Sequence, residues 1–268
     1  MSEALLTIKD LHVKSHREGR ELLQGVNMEI AQGEMVGLIG ESGSGKSLIS
    51  KTIMGLLPKK MTGSGKLTYK QSSLNSPSSS KKRNILGKEI GIIFQDYRGS
   101  FTPYIQIGSQ MVETIRTHFP LSKKEAKRLA LDALHEMGLD AERVFKSYPF
   151  ELSGGQVQRA AIATAIVLKP SLLICDEITT ALDVLNGEKV LNYLTKMKEE
   201  TGCAVLLITH DLTQAYKRTD RIYVMEKGQI VEEGLSEAIR CNHQHPYTKK
   251  LCGCLLSLPH EKELVMVP

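Results

Sequence analysis

The sequence predicts an α/β fold built around a phosphate-binding loop. Three observations predict it. A short apolar strand over 35–39 runs into a glycine loop; the loop, Gly40-Glu41-Ser42-Gly43-Ser44-Gly45-Lys46-Ser47, fits G-x-x-x-x-G-K-[ST] at every fixed position; and a helical stretch over 48–57 follows until Pro58 stops it. Strand, loop and helix end gather backbone N–H groups and the positive end of a helix dipole around one anion. The glycines admit the main chain to the phosphates, Lys46 supplies a point charge for the β and γ oxygens, and Ser47 offers a hydroxyl to magnesium. A loop alone does not distinguish a kinase, a GTPase or a transport ATPase.

At 268 residues the chain has ample length for a buried core, in one large domain or two lobes. Its longest apolar runs fall well short of the roughly 20 residues that a membrane-spanning helix needs. No signal-peptide pattern opens the chain, where Glu3 and Asp10 stand, so a cytosolic place, held at a membrane through partners, is expected. The formal charge of +5 is mild and spread out; Lys81-Lys82-Arg83 and Lys123-Lys124 read as solvated faces. With no Trp and 5% aromatic residues, the dense basic stripe interleaved with aromatics that nucleic acid requires is missing, and no nucleic-acid partner is expected. Five cysteines, an odd number, read as reduced thiols.

Residues 5–14 alternate as a strand and 18–20 turn into a second strand over 22–30, which Gln32-Gly33 leads on to the phosphate-loop strand. Gly63-Ser64-Gly65 precedes a short strand over 66–69, and the Ser-rich stretch 71–80 reads as an exposed loop. Ile90-Gly91-Ile92-Ile93-Phe94 is a buried strand closed by Gln95, an amide that either meets magnesium or the attacking water beside a nucleotide, or bonds backbone. Stretches 109–119, 123–137 and 140–148 have helical spacing, punctuated by Pro120 and Pro149, with Ser122 and Glu125 in a capping-box pattern. They form a helical insert, a candidate second lobe.

Leu152-Ser153-Gly154-Gly155-Gln156 enters a helix over 157–168. Ser with two glycines at a helix N-terminus is either a second anion site, built by the same physics as the first, or a helix cap with a flexible lead-in. Leu172-Leu173-Ile174-Cys175-Asp176-Glu177 is an apolar strand ending in two carboxylates. Adjacent strand residues point to opposite faces, so the two acids take different jobs: one holds magnesium, the other polarises a water for attack on the γ-phosphate. A strand over 204–209 ends at His210, which either donates to the γ-phosphate or holds that water, or is structural, as a lone strand-end His more often is, and 221–225 with 229–232 flank Lys227-Gly228 as a hairpin.

Taken in order, these motifs resemble the nucleotide-binding subunit of an ATP-binding cassette (ABC) transporter. The Walker A loop is 40–47, the glutamine loop Gln95, the signature Leu152-Ser153-Gly154-Gly155-Gln156, Walker B 172–176 with Glu177 next, the D-loop Ala181-Leu182-Asp183, and the switch histidine His210. Each motif alone is weak to moderate; six in this order, covering nearly the whole chain, are very specific. The resemblance implies a P-loop NTPase with a RecA-like core, an antiparallel β flank and an inserted helical subdomain. It places an ATPase domain over 1–240, with core 1–96 and 161–240 and insert 97–160, and a family-type tail over 241–268. It implies ATP and Mg2+ as cofactors. Gly40, Glu41, Ser42, Gly43, Ser44, Gly45, Lys46 and Ser47 would bind one nucleotide. Leu152, Ser153, Gly154, Gly155, Gln156 and Asp183 would serve another across a head-to-tail dimer, so that one folded chain holds no complete site. Ser47, Gln95 and Asp176 would hold Mg2+, and Glu177, His210 and Gln95 would be catalytic. The helical lobe would pass rigid-body motion to membrane subunits.

Three further stretches resemble the peptide and nickel importer family: Tyr148-Pro149-Phe150-Glu151, the segment 95–103 with Arg98, Phe101 and Pro103, and His245-Pro246-Tyr247-Thr248. The family implies a heterodimeric ATPase pair, two transmembrane permease subunits and an extracellular substrate-binding protein, with the ATPase at the cytoplasmic face of the cell membrane. Larger peptide-transport members extend further and carry an iron-sulfur cluster in a cysteine-bearing tail, which Cys241, Cys252 and Cys254 do not reproduce. The resemblance therefore leans to nickel or metallophore import, with di- or oligopeptide import as the alternative and a soluble non-transport cassette ATPase below both. A small-molecule kinase would leave the signature and switch histidine unexplained. Two departures stand out. Ile178 replaces the family's proline, which would stiffen the turn, so Glu177 is expected to be held less rigidly. The aromatic residue that stacks on adenine in many relatives aligns with Ser15 or His16, of which only His16 has a ring, so relaxed base selectivity is expected.

Overall fold

Glycine where the chain passes close to another strand, and aliphatic residues where it is buried on both faces, set the layout of the computed structural model, which describes residues 4–16, 19–75, 85–180 and 182–256. The chain divides into two compact units, one of 1–75 with 206–268 and one of 76–205.

In the first unit an antiparallel sheet runs in the order Glu21–Ala31, Ala4–Ser15, Met61–Tyr69, Ser72–Ser73. Its inward face is aliphatic: Leu6, Ile8, Leu11 and Val13 are buried on one strand and Leu23, Val26, Met28 and Ile30 on its neighbour. The strand expected over 66–69 begins earlier, at Met61. Gly63 and Gly65 do not form a turn; Val13 pairs with Gly63 and His12 with Ser64. At Gly65, φ 116°, a Cβ would lie 2.4 Å from the Asp10 carbonyl oxygen, beside an irregularity of register. Close approach at a bulge is what this glycine serves.

Met35–Ile39 is buried along its length and runs parallel to Arg221–Glu226, with Val36 opposite Arg221 and Ile39 opposite Val224. Burial on both faces explains its unbroken apolar run. Arg221–Glu226 turns back on Gln229–Leu235 through Lys227, φ 45°, and Gly228, φ 86°, two positive angles that suit a tight hairpin. Ile39, Ile222 and Val224 share a core cluster with Leu212, Ala215, Ile239 and Tyr247. The last described helix, Pro246–Leu256, thereby packs through Tyr247 against the end of the phosphate-loop strand.

In the second unit Ile90–Ile93 and Leu172–Asp176 pair in parallel, Ile90 opposite Leu172 and Ile93 opposite Cys175. Helices Ile107–His118, Lys123–Glu136, Ala141–Lys146, Gly154–Ile166 and Val184–Thr201 complete it. The expected capping box of Ser122 and Glu125 is formed. The third helix stops at Lys146, short of the expected 148, because Ser147 and Tyr148 are extended ahead of Pro149. Gly108 lets the first and third helices touch: a Cβ there would lie 2.3 Å from the Phe145 ring. Residues 76–80 of the Ser-rich stretch, Lys81-Lys82-Arg83 and Ala181 lie outside the described residues. Among the described residues no helix is long and apolar enough to cross a membrane.

Candidate functional site

The phosphate loop is shaped by two glycines with different neighbours. A Cβ on Gly40, φ 153°, would lie 2.2 Å from the Met225 carbonyl oxygen, and one on Gly45, φ 113°, would lie 2.7 Å from Leu23 Cδ2. Gly45 is the N-cap of helix Lys46–Ile53, which starts two residues earlier than its sequence spacing predicts; no side chain caps it and its first turn holds no acid. Helices starting at Lys123, Ala141, Gly154, Val184 and Leu212 are instead capped by Ser122, Asp140, Ser153, Asp183 and Asp211. An uncapped, acid-free helix end behind a glycine lead-in suits an anion. Ser44, buried, has a hydroxyl oxygen with no hydrogen-bond partner, a further polar atom suited to a ligand.

Lys46 is 4% exposed, and its Nζ donates to the carbonyls of Gly40 at 2.8 Å and Glu41 at 2.9 Å. A buried ammonium is tolerable only when its hydrogens are taken up. Two of its three hydrogens go to these neutral carbonyls, and charged phosphate oxygens make stronger partners than carbonyls do. Glu41 and Ser42 are exposed and Ser47 half-buried. The Glu41 N–H donates to the Tyr247 hydroxyl at 2.9 Å, and Lys250 Nζ lies 3.6 Å from the Glu41 carboxylate. In the same unit the His16 ring meets the Thr62 hydroxyl. His210 is exposed at the end of Ala204–Thr209, where the Asp211 N–H bonds Thr209 Oγ1 at 3.0 Å and the Asp211 carboxylate caps the next helix.

In the second unit Asp176, 2% exposed, ends the strand, and Glu177 follows with φ 52°. The pleat expected to part these acids is replaced by a kink. A left-handed non-glycine residue costs on the order of 1–3 kcal/mol and persists where its surroundings fix it. Here Ile178 is fully buried, its carbonyl accepts from Gln158 Nε2, and Thr180 Oγ1 donates to the Glu177 carbonyl at 2.9 Å. The turn expected to be loose without proline is therefore held by burial and hydrogen bonds. Gln95 Nε2 donates to Glu177 Oε2 at 2.8 Å, joining the glutamine and the carboxylate. Cys175, between Ile174 and Asp176, is fully buried, and burial pushes its thiol well above the ordinary range.

Ser153 caps helix Gly154–Ile166 in a reciprocal box: its Oγ accepts the Gln156 N–H at 3.3 Å, and Gln156 Oε1 accepts the Ser153 N–H at 3.0 Å. Leu152 is buried ahead of it. Since Oγ acts as acceptor, its own hydrogen is left to donate. Asp183 caps Val184–Thr201, accepting from the Asn186 N–H at 2.9 Å and its amide at 2.6 Å, which holds the carboxyl below its usual range. Directly after it Val184 and Leu185 stand 81% and 75% exposed, an apolar pair on the same stretch as the D-loop acid. Sequence reasoning missed this pair, and also the parts played by Gln158 and Tyr247. Their partners lie 20 and 206 residues away, so no local pattern marks them.

The family model of the ABC transporter matches residues 23–180. The metal-staphylopine import system ATP-binding protein CntD of Staphylococcus aureus is 39% identical over 248 residues, 92% of this chain and 92% of that protein. The oligopeptide transport ATP-binding protein AmiE of Streptococcus pneumoniae is 39% identical over 270 residues, 98% of this chain and 76% of that protein. Among solved structures, a dimeric post-hydrolysis state of the ATP-binding cassette MJ0796 bound to ADP and Pi superposes with a TM-score of 0.78 at 30% identity, covering 86% of this chain and 98% of that one.

Proposed function

We propose that this chain, which belongs to the ABC transporter family as an ATP-hydrolysing import subunit, drives uptake of nickel or a related transition metal or metal chelate. The observation that carries the ATPase part is the uncapped helix end at Gly45 with Lys46 turned into its own loop. When bound, ATP supplies the phosphoanhydride bond to be cleaved, and Mg2+ supplies charge that neutralises its phosphate oxygens. Backbone N–H groups of 43–47 bind phosphate, and Lys46 trades loop carbonyls for phosphate oxygens. Ser47, Gln95 and Asp176 are the proposed Mg2+ ligands, directly or through water. Glu177, oriented by Gln95, takes up the proton of the attacking water, and His210 steadies that water or the γ-phosphate.

The capped signature helix supports a role for a second nucleotide. Ser153 has a hydrogen to donate, Gly154 and Gly155 bring no side chain, and Asp183 stands at the start of a neighbouring helix. The proposed assembly is a heterodimer with a second ABC ATPase subunit, two transmembrane permease subunits and an extracellular substrate-binding protein, at the cytoplasmic face of the cell membrane. The insert 97–160 is the proposed lever to the permeases.

The metal reading draws on the similarity to a protein named for metal-staphylopine import over 92% of both chains. Peptide import is the second reading, favoured by the equal identity to AmiE over 98% of this chain. Uptake of radiolabelled nickel, alone and with a metallophore, is compared in cells carrying the wild type or Glu177→Gln, with a labelled dipeptide in parallel. Metal uptake lost only in the mutant, with peptide uptake intact, is the expected result. The reverse pattern makes this a peptide importer motor, and no change in either overturns the transport reading.

A further inference from the structure

The last described helix, Pro246–Leu256, meets the phosphate loop twice, through an exposed Lys250–Glu41 ion pair and through the buried phenol of Tyr247. The Tyr247 ring belongs to the core cluster that contains Ile39, the last residue of the phosphate-loop strand, and its hydroxyl oxygen accepts the Glu41 N–H at 2.9 Å. That N–H and the Gly40 carbonyl are two ends of one planar peptide unit. At the other end, Lys46 Nζ donates to the Gly40 carbonyl at 2.8 Å. The peptide is gripped at both ends: the phenol fixes its N–H, and its carbonyl in turn holds the ammonium. Gly40, lacking a Cβ, puts little barrier of its own in the way of this peptide's rotation. The phenol is itself firmly placed. The Glu232 carboxylate accepts the N–H groups of Gln244 at 2.6 Å and His245 at 3.1 Å, and the Tyr247 N–H donates to His245 Nδ1 at 3.2 Å.

We infer that Tyr247 is a positioning residue of the nucleotide site: by fixing the peptide between Gly40 and Glu41 it sets where Lys46 waits, and so how readily the loop accepts phosphates. The inference rests on the ATPase reading above. It gives the His-Pro-Tyr-Thr segment, more than 200 residues from the loop in sequence, a direct mechanical link to it.

The test is Tyr247→Phe in the full chain, which keeps the ring in the core and removes only the acceptor. Three quantities are measured: Mg-ATP affinity of the chain with a fluorescent ATP analogue, KM and kcat for hydrolysis by the assembled transporter, and hydrogen–deuterium exchange across 38–48. A net hydrogen bond of ordinary strength predicts a loss of affinity of about three- to tenfold, carried in KM with kcat little changed. Exchange should quicken within 38–48 alone. Lys250→Ala is the neighbouring control, since an exposed ion pair at 3.6 Å predicts a change of less than about twofold. Wild-type affinity in Tyr247→Phe overturns the inference, as does an equal loss in Lys250→Ala, or faster exchange spread over all of the first unit, which marks a merely structural role. Failure of the wild type itself to bind ATP would fell the ATPase reading instead.

Discussion

Replacing Gly40 by Ala should damage nucleotide binding out of proportion to stability, and Gly43 provides the comparison that isolates the reason. An Ala Cβ at position 40 would sit 2.2 Å from the Met225 carbonyl oxygen, where real Cβ atoms essentially never come within 3.0 Å. The obstacle is backbone in the paired strand Arg221–Glu226, so no rotamer change clears it. At Gly43, φ 80°, a Cβ meets nothing within 4 Å, leaving only the conformational cost of on the order of 1–2 kcal/mol. Gly40, φ 153°, adds to a similar cost an overpacking term of about 1–3 kcal/mol. A loop can relieve such strain by moving, and the loss then appears in the ligand's geometry. At about 1.4 kcal/mol per tenfold, Gly43→Ala should lose affinity for ATP about tenfold and Gly40→Ala on the order of a hundredfold. Titration with a fluorescent ATP analogue, beside thermal melts, measures both. If Gly40→Ala binds ATP like the wild type, or Gly43→Ala is the weaker of the two, the contact with Met225 does not govern the loop.

Three further outcomes follow from described geometry. Gln158→Leu keeps volume but leaves the buried Ile178 carbonyl without its donor, a cost of about 1–3 kcal/mol that lowers the melting temperature by about 2–4 °C per kcal/mol; kcat should fall with KM for ATP unchanged, and a shift in KM alone would contradict the role given to that turn. Ser153→Ala removes a helix cap worth about 1 kcal/mol and the hydroxyl proposed to donate to phosphate, so the assembled transporter should lose ATPase activity while the isolated chain binds ATP normally; weaker binding by the isolated chain would count against the proposed division of labour. His12 is held above the ordinary imidazole value of 6.5 by hydrogen bonds to Glu21 and then Asp10, so its proton resonances should titrate above that value and move down in Glu21→Gln. Because the folded value is raised, the stability that this contact adds is complete below pH 6.5 and is lost as pH rises through the folded value.

What was legible in the sequence is what local chemistry specifies. The unbroken apolar runs gave Met35–Ile39 and Leu172–Asp176, and the Ser122 and Glu125 spacing gave a cap, because burial and capping are settled within a few residues. Glycine was read less well. At 63 and 65 it lies inside a strand that the pattern starts only at 66, and at 65 it serves a close approach to the Asp10 carbonyl at a bulge that nothing local marks. The kink at Glu177 was hidden for a related reason: a left-handed glutamate is imposed by Ile178, Gln158 and Thr180, not by its own preferences. The D-loop acid was named from its motif, but the bared Val184 and Leu185 beside it depend on which helix face the rest of the unit leaves uncovered.

Sulfur sits one residue before the proposed magnesium ligand Asp176 and two before Glu177, and its burial has a chemical consequence. A thiol next to Asp176 and Glu177 would, if exposed as thiolate, be a soft ligand for any transition-metal ion nearby and a target for peroxide. Cys175 is neither: it is fully enclosed, and its proton is retained far above neutral pH, as is that of Cys203, pushed up to about 12. Cys241 also has its thiol pushed up, by its hydrogen bond to Glu237, but it differs in being exposed. Thiol reagents and stray soft metals should therefore find Cys241 long before Cys175, and a motor proposed to work beside metal cargo keeps that sulfur out of the cargo's reach.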